Sequence, residues 1–249
     1  MTEIAFDKYA TKGGYHWVEY FGPLHRINAA TRARYDGIVA ALRANGIGKS
    51  SRVLDVGCGD AALTGLIATE FGAQVEGIDT TPLSIDLAKS EFAKRSLKGE
   101  FRLIDGYKYP YPADSFDAVV CSDVIEHVAM PDLMLREMWR VLKPSGVLVV
   151  TTPARYTEAP LDPMHVQEWF AGDFKKFCEA ALGTRVDLRV SHPIAVAELY
   201  ALPTMLGRVV RLSVNLLAKL GTNAFSRPAG FRAFSAQMVV AVKHAGRPS

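Results

Sequence analysis

The strongest constraint on this chain is a pair of strand-like runs, each ending on an acid and joined through a glycine turn. Arg52-Val53-Leu54-Asp55-Val56-Gly57-Cys58-Gly59-Asp60-Ala61-Ala62-Leu63 reads as a short aliphatic strand, a tight turn and the start of a helix. Glycines let the backbone turn sharply and approach a ligand closely, and the following helix aims unpaired N–H groups at the same spot. Ala62 stands at the third small position of the Gly-x-Gly-x-x-Gly/Ala pattern. Val75-Glu76-Gly77-Ile78-Asp79 is a second buried-strand pattern. It ends in a carboxylate about 20 residues beyond the turn, the spacing at which a ribose hydroxyl pair is held. The two runs predict a parallel strand–helix–strand unit and a ligand that carries a ribose.

Asp55, two residues before the first glycine, separates the candidate ligands. A carboxylate there would repel the pyrophosphate of a dinucleotide, whereas it suits a cationic ligand such as S-adenosylmethionine. A nicotinamide-dependent oxidoreductase is disfavoured on this ground, and no dehydrogenase-type Tyr-x-x-x-Lys pair is present. The acid-x-Gly-x-Gly pattern resembles the first motif of class I S-adenosylmethionine-dependent methyltransferases. Four further segments continue the resemblance in order: Asp79, Asp105-Gly106, the run Ser115 to Val128 with its Ile125-Glu126-His127-Val128 turn, and Arg140 to Val150 with its Lys143-Pro144-Ser145-Gly146 turn. The resemblance covers about residues 50 to 155 and is similar to the branch acting on quinones, lipids, sugars and natural products. It implies cofactor contacts from Asp55, Gly57, Gly59, Asp79, Thr80, Asp105, Gly106, Ser122 and Asp123. It also implies S-adenosyl-L-homocysteine as product and a small-molecule acceptor. A retained fold without catalysis is the remaining alternative, disfavoured because all five motifs are intact.

Strand and helix patterns alternate along the chain: strand 52–56, helix 61–71, strand 74–78, helix 82–95, strands 100–104 and 116–121, helix 131–142, strand 146–151. Helix Trp169–Leu182 and strands Arg185–Val190 and Phe234–Val242 complete the pattern. This predicts an α/β, Rossmann-like, mostly parallel seven-stranded sheet with helices on both faces. Residues 1–48 read as an N-terminal arm and a helix from Leu24 to Ala44, residues 49–192 and 233–249 as the cofactor domain, and 193–232 as an apolar helical insertion before the last strand. A formal charge of +3 with signs mixed along the chain argues against nucleic acid as a partner. Three cysteines without a Cys-x-x-Cys motif suit a reduced, cytoplasmic protein with no metal. No apolar leader or membrane-spanning run is visible.

His127 and His165 are the candidate general bases. The resemblance sets His127 beside the methyl end of the cofactor, and His165 opens a His-x-x-Glu segment before the next helix. Each could instead organise its loop. Asp60 suits a helix cap and, less well, a ligand contact. The arm, Phe6 to Trp17, carries aromatics without a helical period and a Gly13-Gly14 pair, which predicts a flap with Tyr15, His16 and Trp17 facing the pocket. In the insertion, Arg208 to Lys219 reads as a helix with a broad apolar surface and only basic charges, so 195–220 is expected to serve as a lid, a dimer contact or a membrane contact. O-methylation of a sugar or natural-product intermediate is the leading expectation, and methylation of a quinone or lipid-linked acceptor at a membrane surface is the alternative.

Overall fold

A computed structural model describes residues 8–158, 162–226, 230 and 233–244. The first residues of the expected arm, part of the 153–163 loop, parts of 227–232 and the tail from 245 lie outside the described residues. The elements in chain order are α1 (Lys8–Lys12), α2 (Tyr15–Phe21), α3 (Ala29–Ala44), β1 (Arg52–Val56), α4 (Ala62–Phe71), β2 (Gln74–Asp79), α5 (Pro82–Lys94), β3 (Glu100–Leu103) and β4 (Phe116–Ser122). A 3-10 turn (Ile125–His127) follows, then α6 (Pro131–Val141), β5 (Leu142–Pro153), α7 (Ala171–Leu182), β6 (Asp187–Pro193), α8 (Ile194–Ala201), α9 (Met205–Lys219) and β7 (Phe234–Val242).

The strands form one seven-stranded sheet in the order β3-β2-β1-β4-β5-β7-β6. β1 to β5 run parallel, and β7 is antiparallel to both β5 and β6. Near-continuous aliphatic runs are what a strand covered on both faces requires. Successive side chains then go to opposite layers. Val53, Val120, Val147 and Val149 pack with Leu42 of α3, Leu66 of α4 and Phe92 of α5. Leu54, Val119, Leu148 and Val150 pack with Leu135 of α6 and Phe174 of α7 on the other side. Strand order reverses between β1 and β4, so the crevice beyond their carboxyl ends is where this architecture accepts a ligand.

Two expectations for the N-terminal region need correction. The helix expected from Leu24 begins at Ala29, because the Asn28 side chain accepts the backbone N–H groups of Ala30 and Thr31 at 3.0 and 3.5 Å and caps it there. The arm is helical on either side of Gly13-Gly14, as α1 and α2, where no helix was expected. A helix of 7 residues is too short to display a period in sequence. Asn28→Ala is expected to cost about 1 kcal/mol of stability, read from the urea midpoint at unchanged slope. An unchanged midpoint would mean that packing alone starts α3.

The insertion forms α8 and α9, and it packs through Ala218 and Phe225 on Ala29 and Ala33 of α3. Among the described residues no helix is long and apolar enough to cross a membrane. All three cysteines are free and buried.

Candidate active site

The glycine turn joins β1 to α4 and is pinned to the end of β2: the Gly57 and Cys58 N–H groups both donate to the Ile78 carbonyl, at 2.8 and 3.0 Å. Gly57 and Gly59 hold φ of +72° and +54°. A Cβ on Gly57 would lie 2.5 Å from Val124 Cγ2, and one on Gly59 would lie 1.9 Å from the Tyr9 hydroxyl. Both positions therefore need glycine for space as well as for backbone conformation.

Three carboxyl groups surround this turn. Asp55 is buried in β1 and accepts the Thr64 hydroxyl at 2.6 Å. Burial lifts its pKa from 3.8 to about 7, with the Thr64 hydrogen bond opposing and Asp79 and Asp60 adding to the rise. Asp79 ends β2 and accepts two backbone N–H groups, Gly59 at 3.0 Å and Thr81 at 2.9 Å. Its pKa is also raised, chiefly by burial, against the pull of those same donors. Asp60 accepts the N–H of Ala62 at 3.3 Å, which is the capping contact, and the N–H of His16 at 2.9 Å. Its carbonyl takes the Trp17 indole N–H at 2.7 Å. Thr80, Asp105 and Gly106 lie exposed just beyond the ends of β2 and β3.

The described part of the arm is folded onto this turn through Asp60. Tyr15 and His16 pack ring on ring at 4.0 Å, and Tyr9 and His16 come within 3.3 Å. Trp17, expected to face the pocket, is instead in the core beside Leu63, Leu66 and Phe92, against a face of α4 opened by Gly65. It lies three residues before Tyr20 on α2, and both are buried, which is the ordinary amphipathic reason for its placement. Tyr9 was overlooked as a candidate; the only sequence clue was its place among the aromatics of the arm.

A second group of side chains gathers beyond β4 and β5. Asp123 takes a positive φ of 52° and pairs with Arg34 of α3, and it accepts the Thr151 hydroxyl at 2.8 Å. Ser122 and Thr151 share a hydrogen bond at 3.1 Å. Asp123 thus answers to Arg34, a partner 89 positions away in the chain. Arg34 also lines a cleft of about 410 Å³ with Ala33, Gly37, Thr151, Gln237 and Met238. Among the described residues, the buried Arg34 Nε and Gln237 Oε1 have no hydrogen-bond partner.

His127 and His165 are brought together from segments 38 positions apart, with ring centroids 5.0 Å apart and edge to face. His127 Nδ1 lies 3.1 Å from the Met164 carbonyl. A carbonyl only accepts, so Nδ1 carries the proton and Nε2 the lone pair. His165 Nδ1 lies 2.6 Å from a Glu168 carboxylate oxygen, which orients its ring in the same sense. Glu126 is buried between these residues and Thr152, whose hydroxyl it accepts at 3.0 Å. Burial, and then the charge of Asp123, push its pKa far above the usual carboxyl range. Glu126, His127 and His165 each offer a ligand atom within 4.8 Å of the others, so the one donor set for a metal ion found among the described residues arises where no metal was expected.

Residues 54–150 match the sequence model of a methyltransferase domain. The chain is 33% identical over 154 residues to the ubiquinone biosynthesis O-methyltransferase of Xanthomonas campestris pv. campestris, covering 61% of each protein. The similarity thus spans about three fifths of that relative's length. A SAM dependent methyltransferase from Aquifex aeolicus superposes with a TM-score of 0.58 at 19% identity, over 85% of this chain and 91% of that one. Phosphoethanolamine N-methyltransferase 2 of Haemonchus contortus, solved with S-adenosyl-L-methionine, gives 0.64 at 17% identity, over 97% of this chain and 60% of that one. With the strand order and the glycine turn, residues 54–150 thus match the methyltransferase domain model, and the chain has the fold of these solved methyltransferases.

Proposed function

We propose that this chain methylates a hydroxyl of a small-molecule acceptor with S-adenosyl-L-methionine, releasing S-adenosyl-L-homocysteine. The observation that carries the reading is the placing of two kinds of group at one end of one sheet. Acids and a glycine cradle suited to a cationic nucleoside lie on one side, and a pair of oriented imidazoles lies on the other. When bound, the cofactor supplies a methyl group on a sulfonium. The Gly57–Gly59 turn would leave room for it, the Asp79 carboxylate would take its ribose hydroxyls, and Asp55 would supply negative charge suited to its cationic end. On the acceptor side, an imidazole Nε2 would take the hydroxyl proton as the methyl group leaves the sulfonium for the acceptor oxygen. No new charge needs stabilising at the leaving group, so alignment and a dry site are what the chain must add. Tyr9, Tyr15 and His16 would supply that cover.

On this reading the cleft beside Arg34 seats the part of the acceptor away from the reacting hydroxyl, since neither His127 nor His165 is among the residues that line it. Its volume suits a small ligand, and its walls are largely apolar, with the Arg34 and Gln237 side chains among them. The apolar walls and the ubiquinone-pathway relative favour a quinone-type phenol over a sugar. The test is calorimetric binding of S-adenosylhomocysteine beside NADH, followed by S-adenosylhomocysteine formation from S-adenosylmethionine on a panel of catechols, sugars and polyketides. Binding of NADH alone overturns the reading, and turnover on sugars alone overturns the acceptor class.

Asp55 adds a pH dependence with a definite sign. A folded-state pKa above the unfolded value contributes stability at low pH that is lost as pH rises through about 7. A cation over the carboxylate recovers that loss. Cofactor affinity is therefore expected to rise about tenfold between about pH 6 and pH 8, and Asp55→Asn to flatten the profile. A wild-type affinity independent of pH would remove Asp55 from the cation's surroundings.

A further inference from the structure

We propose that α9, with the end of α8, docks on an anionic lipid surface, a contact that stands independently of the reaction catalysed. Met205, Val209, Leu212, Leu216 and Leu220 recur at intervals of four and three and form one stripe along the outward side of α9, each between 45% and 73% exposed. Leu206 and Leu217 widen the stripe, and Leu199 of α8 is about half exposed as well. The face turned toward the protein is the less apolar one: it buries Gly207, Asn215 and Ala218.

This orientation is locked. The Asn215 amide donates to the carbonyls of Leu24 and Ile27 at 3.0 and 2.9 Å and accepts the Tyr200 hydroxyl at 2.7 Å. At Gly207, a Cβ would lie 2.1 Å from the Leu202 carbonyl oxygen, so the helix starts too close to α8 to turn over. Rotating α9 to hide its leucines would break all three hydrogen bonds and bury nothing equivalent. A stripe of this size held outward on a soluble surface marks a contact site.

Charge decides the occupant. The charged residues of α9 are Arg208, Arg211 and Lys219, with no acid among them. Arg211 turns inward toward the Leu202 carbonyl, while Arg208 and Lys219 are exposed along one flank of the stripe. An apolar face bordered by basic side chains matches an anionic bilayer, into which the leucines sink while the cations meet the headgroups. In an antiparallel pair with a second copy of the same helix, the basic flank would meet itself, Arg208 against Lys219, a repulsion. The helix is 15 residues long, so it lies on the surface and does not cross it. Its buried face also packs on Ala29 and Ala33 of α3, and Ala33 lines the cleft beside Arg34.

The test is co-sedimentation with vesicles of phosphatidylcholine alone and of phosphatidylcholine with phosphatidylglycerol, beside sedimentation equilibrium without lipid. The full chain is expected to bind the anionic vesicles at least tenfold more tightly than the neutral ones. Leu212→Glu/Leu216→Glu should abolish this binding while leaving the circular dichroism and S-adenosylhomocysteine affinity unchanged, and Arg208→Glu/Lys219→Glu should weaken it at least tenfold. Absence of vesicle binding overturns the proposal, as does binding that ignores lipid charge or the leucine pair. A dimer that dissociates in the leucine variant, without vesicle binding, would assign the stripe to a second copy. Vesicle binding without methyl transfer would keep this contact and reject the reading of the active site.

Discussion

Asp79→Ala is expected to lower affinity for S-adenosylmethionine and S-adenosylhomocysteine at least a hundredfold, while the protein still unfolds in one cooperative transition. The carboxylate is held at the end of β2 by the N–H groups of Gly59 and Thr81, so it both shapes the turn and faces the crevice at the switch in strand order. Hydrogen bonds to a charged group are worth about 1.5–3 kcal/mol each, and losing two to the ribose gives roughly 3–6 kcal/mol, or two to four powers of ten. Alanine also leaves the Gly59 N–H without its acceptor, which adds to the loss. Asp79→Asn keeps one acceptor oxygen and should fall between the two. Calorimetry reads all three proteins, and a loss below fivefold in the alanine variant would move the ribose site away from β2.

Of His127→Ala and His165→Ala, the one that removes the base is expected to reduce kcat by about 10²–10⁴-fold, with cofactor affinity unchanged in both. The two rings are 5.0 Å apart and each is oriented through Nδ1, so geometry admits either as the proton acceptor. Glu168→Gln separates them. If His165 is the base, loss of the carboxylate that orients it lowers kcat about tenfold or more; if His127 is, Glu168→Gln leaves kcat nearly unchanged. The 4.8 Å cluster with Glu126 adds a control: activity that survives dialysis against a chelator assigns the histidines to proton transfer, and activity restored by a divalent cation assigns them to a metal. Equal, small effects of every variant would take both histidines out of the chemistry.

The cofactor half of the site was legible because its parts are local. Asp55, Gly57 and Gly59 are neighbours in sequence, and their positions at a strand end follow from strand, turn and helix patterns within a dozen residues. The parallel sheet was legible for the same reason, since a strand buried on both faces must be aliphatic almost throughout. The arm was misjudged because two helices of 5 and 7 residues carry too few turns to show a period. The burial of Trp17 is not legible in sequence, because nothing in its own segment reveals Gly65, the gap on α4 into which it fits.

The acceptor side depends on pairings that no local pattern contains. Arg34 with Asp123, His127 with His165, and Asn215 with the carbonyls of Leu24 and Ile27 join positions far apart in the chain. The amphipathic, basic character of α9 is a property of its sequence, and so are the order of the strands' acids and the placing of the glycines. Which side of α9 faces water is a property of the fold, settled by three hydrogen bonds and a missing Cβ. Short-range periodicity and turn chemistry are written residue by residue, whereas the partner of a buried polar group is chosen only when the whole core closes around it.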